Sequence, residues 1–205
     1  MIADAYDRMD ASIPARPPRV IVGFTGHMGV GKDTAADVLV KEFGFVRVGF
    51  ADALKREVIE RFPRTLSEMR DVEGYEWWTP SPWKLVMETK PPWVRALLQE
   101  YGTEVRRANN PHYWVTKWQD TVDRLPLMAK VVVPDVRFEN EVQVILAMEG
   151  HVVRVVRPGY MGDTHASERG VGGEHEVLYN AEGVHEFQER VEVWWRRKLE
   201  RGWNG

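Results

Sequence analysis

Apolar positions along this chain fall into short β-branched runs separated by amphipathic stretches, the alternation of an α/β protein with a parallel sheet. Val20 to Phe24, Phe45 to Phe50, Ala129 to Val133, His151 to Val156 and Glu176 to Asn180 each read as a strand. Runs this apolar suit strands covered on both faces, with helices crossing over between them. Ala35, Ala36, Val38, Leu39 and Val40, with Asp37 and Lys41 among them, form a helix that stops at Gly44. Asp52 is placed to cap a second helix through Leu54, Val58 and Ile59 to about Phe62, where Pro63 follows. Val94, Leu97, Leu98 and Tyr101 mark one face of a third, leaving Arg95 and Gln99 four apart on another, before Gly102 and Thr103 interrupt the pattern. Trp114, Trp118 and Val122 share a helical stripe; such a stripe is more often core than a surface for stacking bases. Glu141 begins a helix through Val142, Val144, Ile145 and Met148, and the chain closes on Val184, Phe187, Val191, Trp194, Trp195 and Leu199 at helical spacing.

Two stretches escape these periods. Residues 1–18 hold three prolines without apolar periodicity and are expected to form a flexible N-terminal extension. In residues 64–93, Trp77, Trp78, Trp83 and Trp93 sit among Pro80, Pro82, Pro91 and Pro92, a composition of loops and broken helices. That composition suits a substrate flap, since long connections inside compact domains are usually functional. For any single tryptophan the favoured reading is a satellite core that it helps to pack. The expected organisation is one domain over residues 19–205, with a substrate-binding or lid insert around 64–118.

Composition narrows the function classes. At 205 residues with 43% hydrophobic and 29% charged side chains, the chain has the make-up of an ordinary globular domain. A formal charge of -3 weighs against a general nucleic-acid coat while leaving room for a local basic pocket. No cysteine occurs, which removes disulfides and thiolate metal sites from this chain. No apolar run is long enough to span a bilayer, and the start of the chain lacks a signal peptide's apolar segment, so a cytoplasmic protein is expected.

Chemistry enters where the first strand breaks. The spacing Gly26-x-x-x-x-Gly31-Lys32, between a strand and a helix, is that of a phosphate-binding P-loop. Its glycines let successive N–H groups converge on phosphate oxygens, the helix start adds a positive dipole end, and Lys32 adds a charge for the β- and γ-phosphates. Asp33 stands where Ser or Thr normally meets magnesium. Pro134-Asp135 ends the third strand, the Walker B arrangement that holds magnesium through its water shell, and Arg137 follows at the edge where open α/β sheets bind ligands. Lys55 and Arg56 lie near the carboxyl end of the second strand, either holding an anion or lining a solvated helix start. The loose segment of Gly162, Gly170, Gly172 and Gly173 could close over a nucleotide with Arg157 or Arg169. Its His165 and Glu168 have no third ligand nearby, so a metal pair there is disfavoured.

With these residues in view, the chain resembles the bacteriophage deoxynucleoside monophosphate kinases over most of its length after residue 19. The likeness rests on GKDT at Gly31 to Thr34, Lys55, VRxLxQxxGT at Val94 to Thr103, and Tyr113-Trp114. It continues through Pro134 to Arg137 with Glu141, VVRPG at Val155 to Gly159, DTHxxE at Asp163 to Glu168, and Asn180 with Gly183. Asp33 is usual for that family. The extension and residues 64–93 match nothing in its pattern.

The resemblance implies a three-layer P-loop kinase with five parallel strands, the third beside the first so that Asp135 faces the P-loop. It implies phosphoryl transfer from ATP, with Mg2+, to a deoxynucleoside 5′-monophosphate. ATP would be held by His27, Gly29, Val30, Gly31, Lys32, Asp33, Thr34 and Arg157, and magnesium near Asp33, Thr34 and Asp135. Lys55, Arg95, Gln99, Gly102, Thr103, Trp114, Asp135, Arg137 and Glu141 would form the acceptor side, where Trp114 becomes a base ligand. Lys32, Arg95, Asp135 and Arg137 would carry the transfer. The expected partners are small-molecule nucleotides, with neither nucleic acid nor membrane, and a homodimer is among the assemblies to look for. Rival readings are a kinase for dephospho-coenzyme A or for a hydroxymethylated pyrimidine in DNA, and a nucleotide-gated switch without transfer.

Overall fold

The computed structural model describes residues 19–72, 81–159, 171 and 176–202. Five strands, β1 (Ile21–Thr25), β2 (Val46–Arg47), β3 (Val131–Val136), β4 (His151–Val156) and β5 (Glu176–Tyr179), form one parallel sheet in the order β2-β3-β1-β4-β5. The third strand lies beside the first, as expected. The main helices are α1 (Lys32–Phe43), α2 (Ala51–Arg61), α3 (Pro63–Val72), α5 (Pro92–Gln99), α6 (Tyr113–Asp123), α7 (Glu139–Ala147) and α8 (Val184–Glu200), with a short α4 at Pro82–Lys84. Wide π-helical turns extend α4 through Leu85–Thr89 and α5 through Glu100–Arg107.

Strand alternation builds two cores. Val22, Phe24, Val132, Val153 and Val155 meet α1 and α8 on one face, with Phe187, Val191 and Trp195 from α8. Ile21, Val131, Val133 and Val152 meet α6 and α7 on the other, with Val115, Trp118, Val142 and Ile145. A third core of Val58, Leu66, Leu85, Val86, Val94, Tyr101 and Trp114 holds α2 to α6 together beside the sheet.

Several boundaries differ from the expectation. The second strand is two residues long and exposed, because an edge strand pairs with β3 alone and has one ladder to hold it. Strand β3 runs on through Pro134 and Asp135 to Val136. Its register with β1 shifts between Gly23 and Thr25, opposite Pro134, which has no N–H to give. Gly102 and Thr103 widen the helix into a π turn without ending it. Asp52 is not the cap of α2: Phe50 occupies that position, and Asp135 from β3 accepts from the N–H groups of Phe50 and Ala51, both at 2.9 Å. Part of the Trp/Pro stretch is regular, namely α3 and the α4 turn, whereas Trp77, Trp78 and Pro80 lie outside the described residues. So do residues 1–18 and His165, Glu168 and Arg169. No helix among the described residues is long and apolar enough to cross a membrane.

Candidate active site at the carboxyl edge of the sheet

The loop after β1 turns on left-handed glycines. Gly26, Gly29 and Gly31 take φ of 130°, 79° and 109°. A Cβ on Gly26 would lie 2.4 Å from the Val155 carbonyl oxygen, so only glycine lets the loop leave β1 this close to β4. Val30 is buried, and its carbonyl accepts from the Asn180 amide at 2.8 Å, which ties the loop to the end of β5. Lys32 curls back over the loop, its Nζ donating to the carbonyls of Gly26 at 2.7 Å and His27 at 2.6 Å. The first-turn N–H groups of α1 have no carbonyl within their own helix, as at any helix start.

Beside this loop opens a cavity of about 840 Å³. Gly29, Lys32 and Asp33 line one end. Asp135, Arg137 and Glu141 come from β3 and α7, Lys55 from α2, and Arg95, Gln99, Gly102, Thr103 and Trp114 from α5 and α6. The structure thus brings together residues spread over more than a hundred positions. His27 contributes its carbonyl to Lys32, and Thr34 is half-buried; neither is in the lining. Arg157 is exposed just past β4, also outside the lining.

Seven cationic side chains line the cavity against four carboxylates, in a chain whose net charge is -3. Three of the seven, Arg47, Lys90 and Arg107, were not singled out from the sequence. Arg47 was legible, since it ends β2 near Lys55 at the same edge. Lys90 gave no periodic signal, and Arg107 stood in a helix that Gly102 seemed to interrupt.

Ion pairs and hydrogen bonds within the protein hold several of these side chains. The Asp33 carboxylate is 78% exposed and ion-paired with Arg47, which also reaches Asp37 at 2.9 Å. Arg47 thus sets a cation beside the carboxylate that was expected near magnesium. Glu141, expected as a substrate ligand, spends its oxygens on the protein. One accepts from the N–H groups of Arg137 at 2.7 Å and Phe138 at 3.2 Å, and the other pairs with Arg107. Burial pushes its carboxyl up to about 7, against the pull of Arg107 and the Arg137 N–H. It thereby fixes the backbone at Arg137 and Phe138. The Trp114 ring is buried, and its indole donates to the Gly102 carbonyl at 3.0 Å, so it meets the cavity as a wall anchored in the third core. Asp52 holds Lys55 at 3.1 Å and the Gly49 N–H at 2.8 Å. Arg95 donates from Nε to the Lys90 carbonyl at 2.9 Å and lies 3.7 Å from the Met28 sulfur.

A cradle of backbone N–H groups with a lysine, opposite a second set of cations backed by an amide and an indole, can hold two phosphate-bearing molecules end to end. Comparisons with known proteins supply a family. Among curated proteins, the chain is 29% identical over 182 residues to a mimivirus protein (Acanthamoeba polyphaga mimivirus) named "Putative deoxynucleotide monophosphate kinase", covering 84% of this chain and 94% of that one. It is 25% identical over 178 residues to the uncharacterized protein ORF76 of Ictalurid herpesvirus 1 (strain Auburn), covering 82% of this chain and 64% of that one. Among solved structures, a dephospho-CoA kinase from Campylobacter jejuni superposes with a TM-score of 0.43 at 12% identity, over 89% of this chain and 98% of that one. A sugar kinase from Janibacter sp. HTCC2649 gives 0.40 at 17% identity, over 88% and 95%. At those values the two structures say nothing about substrate. The family model for deoxynucleotide monophosphate kinase matches residues 79–191, which carry α4 to α7 and strands β3 to β5. By that match, over more than half of its length, the chain belongs to the deoxynucleotide monophosphate kinase family.

Proposed function

We propose that the protein transfers the γ-phosphoryl group of ATP to a deoxynucleoside 5′-monophosphate, giving ADP and the deoxynucleoside diphosphate. The observation that carries this reading is the continuity of the cavity, which runs from Gly29 and Lys32 to Arg95, Gln99 and Thr103 and is lined by cations at both ends. ATP phosphates would lie along Gly29 to Thr34, the acceptor phosphate against Lys55, Arg95 and Arg137, and the nucleoside against Gln99, Thr103 and the Trp114 wall. Helices α3 to α6 would then be the substrate insert.

The acceptor is a phosphate oxygen already ionised at neutral pH. It forms a bond to the γ-phosphorus as the bond to the β,γ-bridging oxygen breaks, and no proton has to move. Catalysis rests on alignment and on charge, as phosphoryl transfer does generally. Lys32 follows the charge gathering on the transferred group, and Arg95 and Arg137 offset the repulsion between two anions brought together. Glu141 fixes the backbone from which Arg137 projects.

Magnesium fits this donor set as a phosphate-borne ion. Among the described residues no cluster of His, Asp and Glu could hold a metal by itself. Mg2+ keeps several waters and needs only one or two carboxylates besides substrate phosphates. Asp135 offers one: each oxygen accepts a backbone N–H and keeps a further lone pair. The Thr34 hydroxyl stands at the start of α1, while Asp33 is engaged by Arg47. Bound there, the ion would withdraw charge from the phosphate oxygens.

The test is ADP release from MgATP with each of the four deoxynucleoside monophosphates, dephospho-coenzyme A and DNA offered separately. Turnover dependent on one or more of the monophosphates is expected. Turnover only with another acceptor, or nucleotide binding without acceptor-dependent turnover, would overturn the proposal.

A further inference from the structure

We propose that Lys90 is a further ligand for the acceptor phosphate, its ammonium group joining Lys55 and Arg95 on that side of the cavity. The inference rests on the reading of the acceptor as a deoxynucleoside monophosphate. Lys90 closes the wide turn Leu85–Thr89, its N–H donating to the Leu85 carbonyl at 2.8 Å. Its backbone is left-handed, with φ 46° and ψ 62°, at a position where glycine or asparagine is usual. A lysine there works against the fold unless its side chain is wanted. Leu85 and Val86, both fully buried in the third core, anchor the turn from within, and Pro91 and Pro92 stiffen the exit into α5. The Lys90 carbonyl accepts from Arg95 Nε, so one residue orients the arginine and sends its own side chain into the same cavity.

The charges around that side chain point to an anion. Among the described residues no carboxylate forms an ion pair with Lys90. Burial holds it below the usual lysine range, and the neighbouring Lys55 and Arg95 press it lower, with Asp33 pulling the other way and Arg47 pressing again. Cations that converge on one space repel one another until a multiply charged anion sits between them, when the same geometry becomes attractive. A lysine ammonium suits this place: a compact charge with three rotatable donors can meet any of the acceptor phosphate's oxygens.

Two variants with unbranched side chains keep the backbone burden of Lys90 while changing its head group: Lys90→Met and Lys90→Arg. Calorimetry would follow deoxynucleoside monophosphate, the matching deoxynucleoside and ATP separately. Lys90→Met is expected to bind the monophosphate about tenfold more weakly or worse, the scale of a lost charge-assisted hydrogen bond. It should bind the deoxynucleoside and ATP within about twofold of wild type, with a melting temperature equal or higher because a repulsion is gone. Lys90→Arg should keep the monophosphate affinity within about threefold. Unchanged monophosphate binding by Lys90→Met would overturn the inference alone. So would equal losses for all three ligands with a lowered melting temperature, the mark of a structural residue. A wild-type protein that takes up no deoxynucleoside monophosphate would remove the acceptor reading itself, and the inference with it.

Discussion

At the scale of single residues, charge and its containment decide what each side chain can do. Lys32 is 8% exposed and lies over two loop carbonyls, so its charge is aimed by the loop that it serves. Lys32→Ala should lower turnover a hundredfold or more, the scale of a transition-state charge contact. Leaving two carbonyls without this donor should cost about 1–3 kcal/mol of stability, and the protein should stay folded. A folded variant with near-normal turnover in the ADP-release assay would refute the P-loop role. Arg107 and Glu141 lend themselves to a second test. Burial keeps Glu141 more protonated folded than unfolded, so it takes stability away as pH rises from about 4.5 to about 7, and the deficit is complete above that. Arg107→Met removes the cation that pulls this carboxyl down, so the folded value climbs further. Urea midpoints of wild type and Arg107→Met should keep a constant gap below about pH 7, where both hold Glu141 neutral. The gap should widen above it, by about 1.4 kcal/mol per unit until the variant's own value is reached. A pH-independent gap would mean that the pair does not govern this carboxyl.

At the scale of elements, the junction of β2, β3 and α2 sets the site. Asp135 reaches it only because Gly49 leaves room: a Cβ there would stand 2.9 and 3.0 Å from the two carboxylate oxygens. The carboxylate holds the first N–H groups of α2, so the same contact starts the helix that carries Lys55. Gly49→Ala should push the carboxylate aside, with a loss of turnover of about tenfold and a stability cost of about 1–3 kcal/mol for the overpacking. If Asp135 serves magnesium as proposed, the half-saturating magnesium concentration should rise as well. Normal turnover at normal magnesium would show that the carboxylate can sit elsewhere.

Across the whole molecule, the cavity joins the sheet edge to the helices of the third core, and each contributes cations that the other lacks. A single molecule reaching from the loop after β1 to Gln99 and Trp114 should therefore grip both parts. An adenosine and a deoxynucleoside linked through five phosphates should raise the melting temperature more than ATP or the monophosphate at the same concentration. At a hundred times its dissociation constant a ligand adds about 2.7 kcal/mol, or roughly 5–10 °C for a protein of this size. A rise no larger than that with ATP alone would mean that the two ends are not occupied together.

What this sequence determined by itself were the features encoded in neighbouring residues. The strand–loop–helix around Gly26 to Lys32, the carboxylate at the end of β3 and the five-strand alternation are local patterns, written at periods of two and 3.6 residues. The tertiary structure alone decided who answers whom. Asp135 holds a helix start whose own residue Asp52 looked like the cap, and Asp33 turns to Arg47 from a neighbouring strand. Glu141 is taken up by Arg107, 34 positions away, and Trp114 is drawn into a third core by its bond to Gly102. Lys90 owes its place to a wide turn that no apolar period announces. Propensity and alternation act over a few residues and can be read along a line. Ion pairs and cavity walls form between segments that only chain folding brings within a few ångströms.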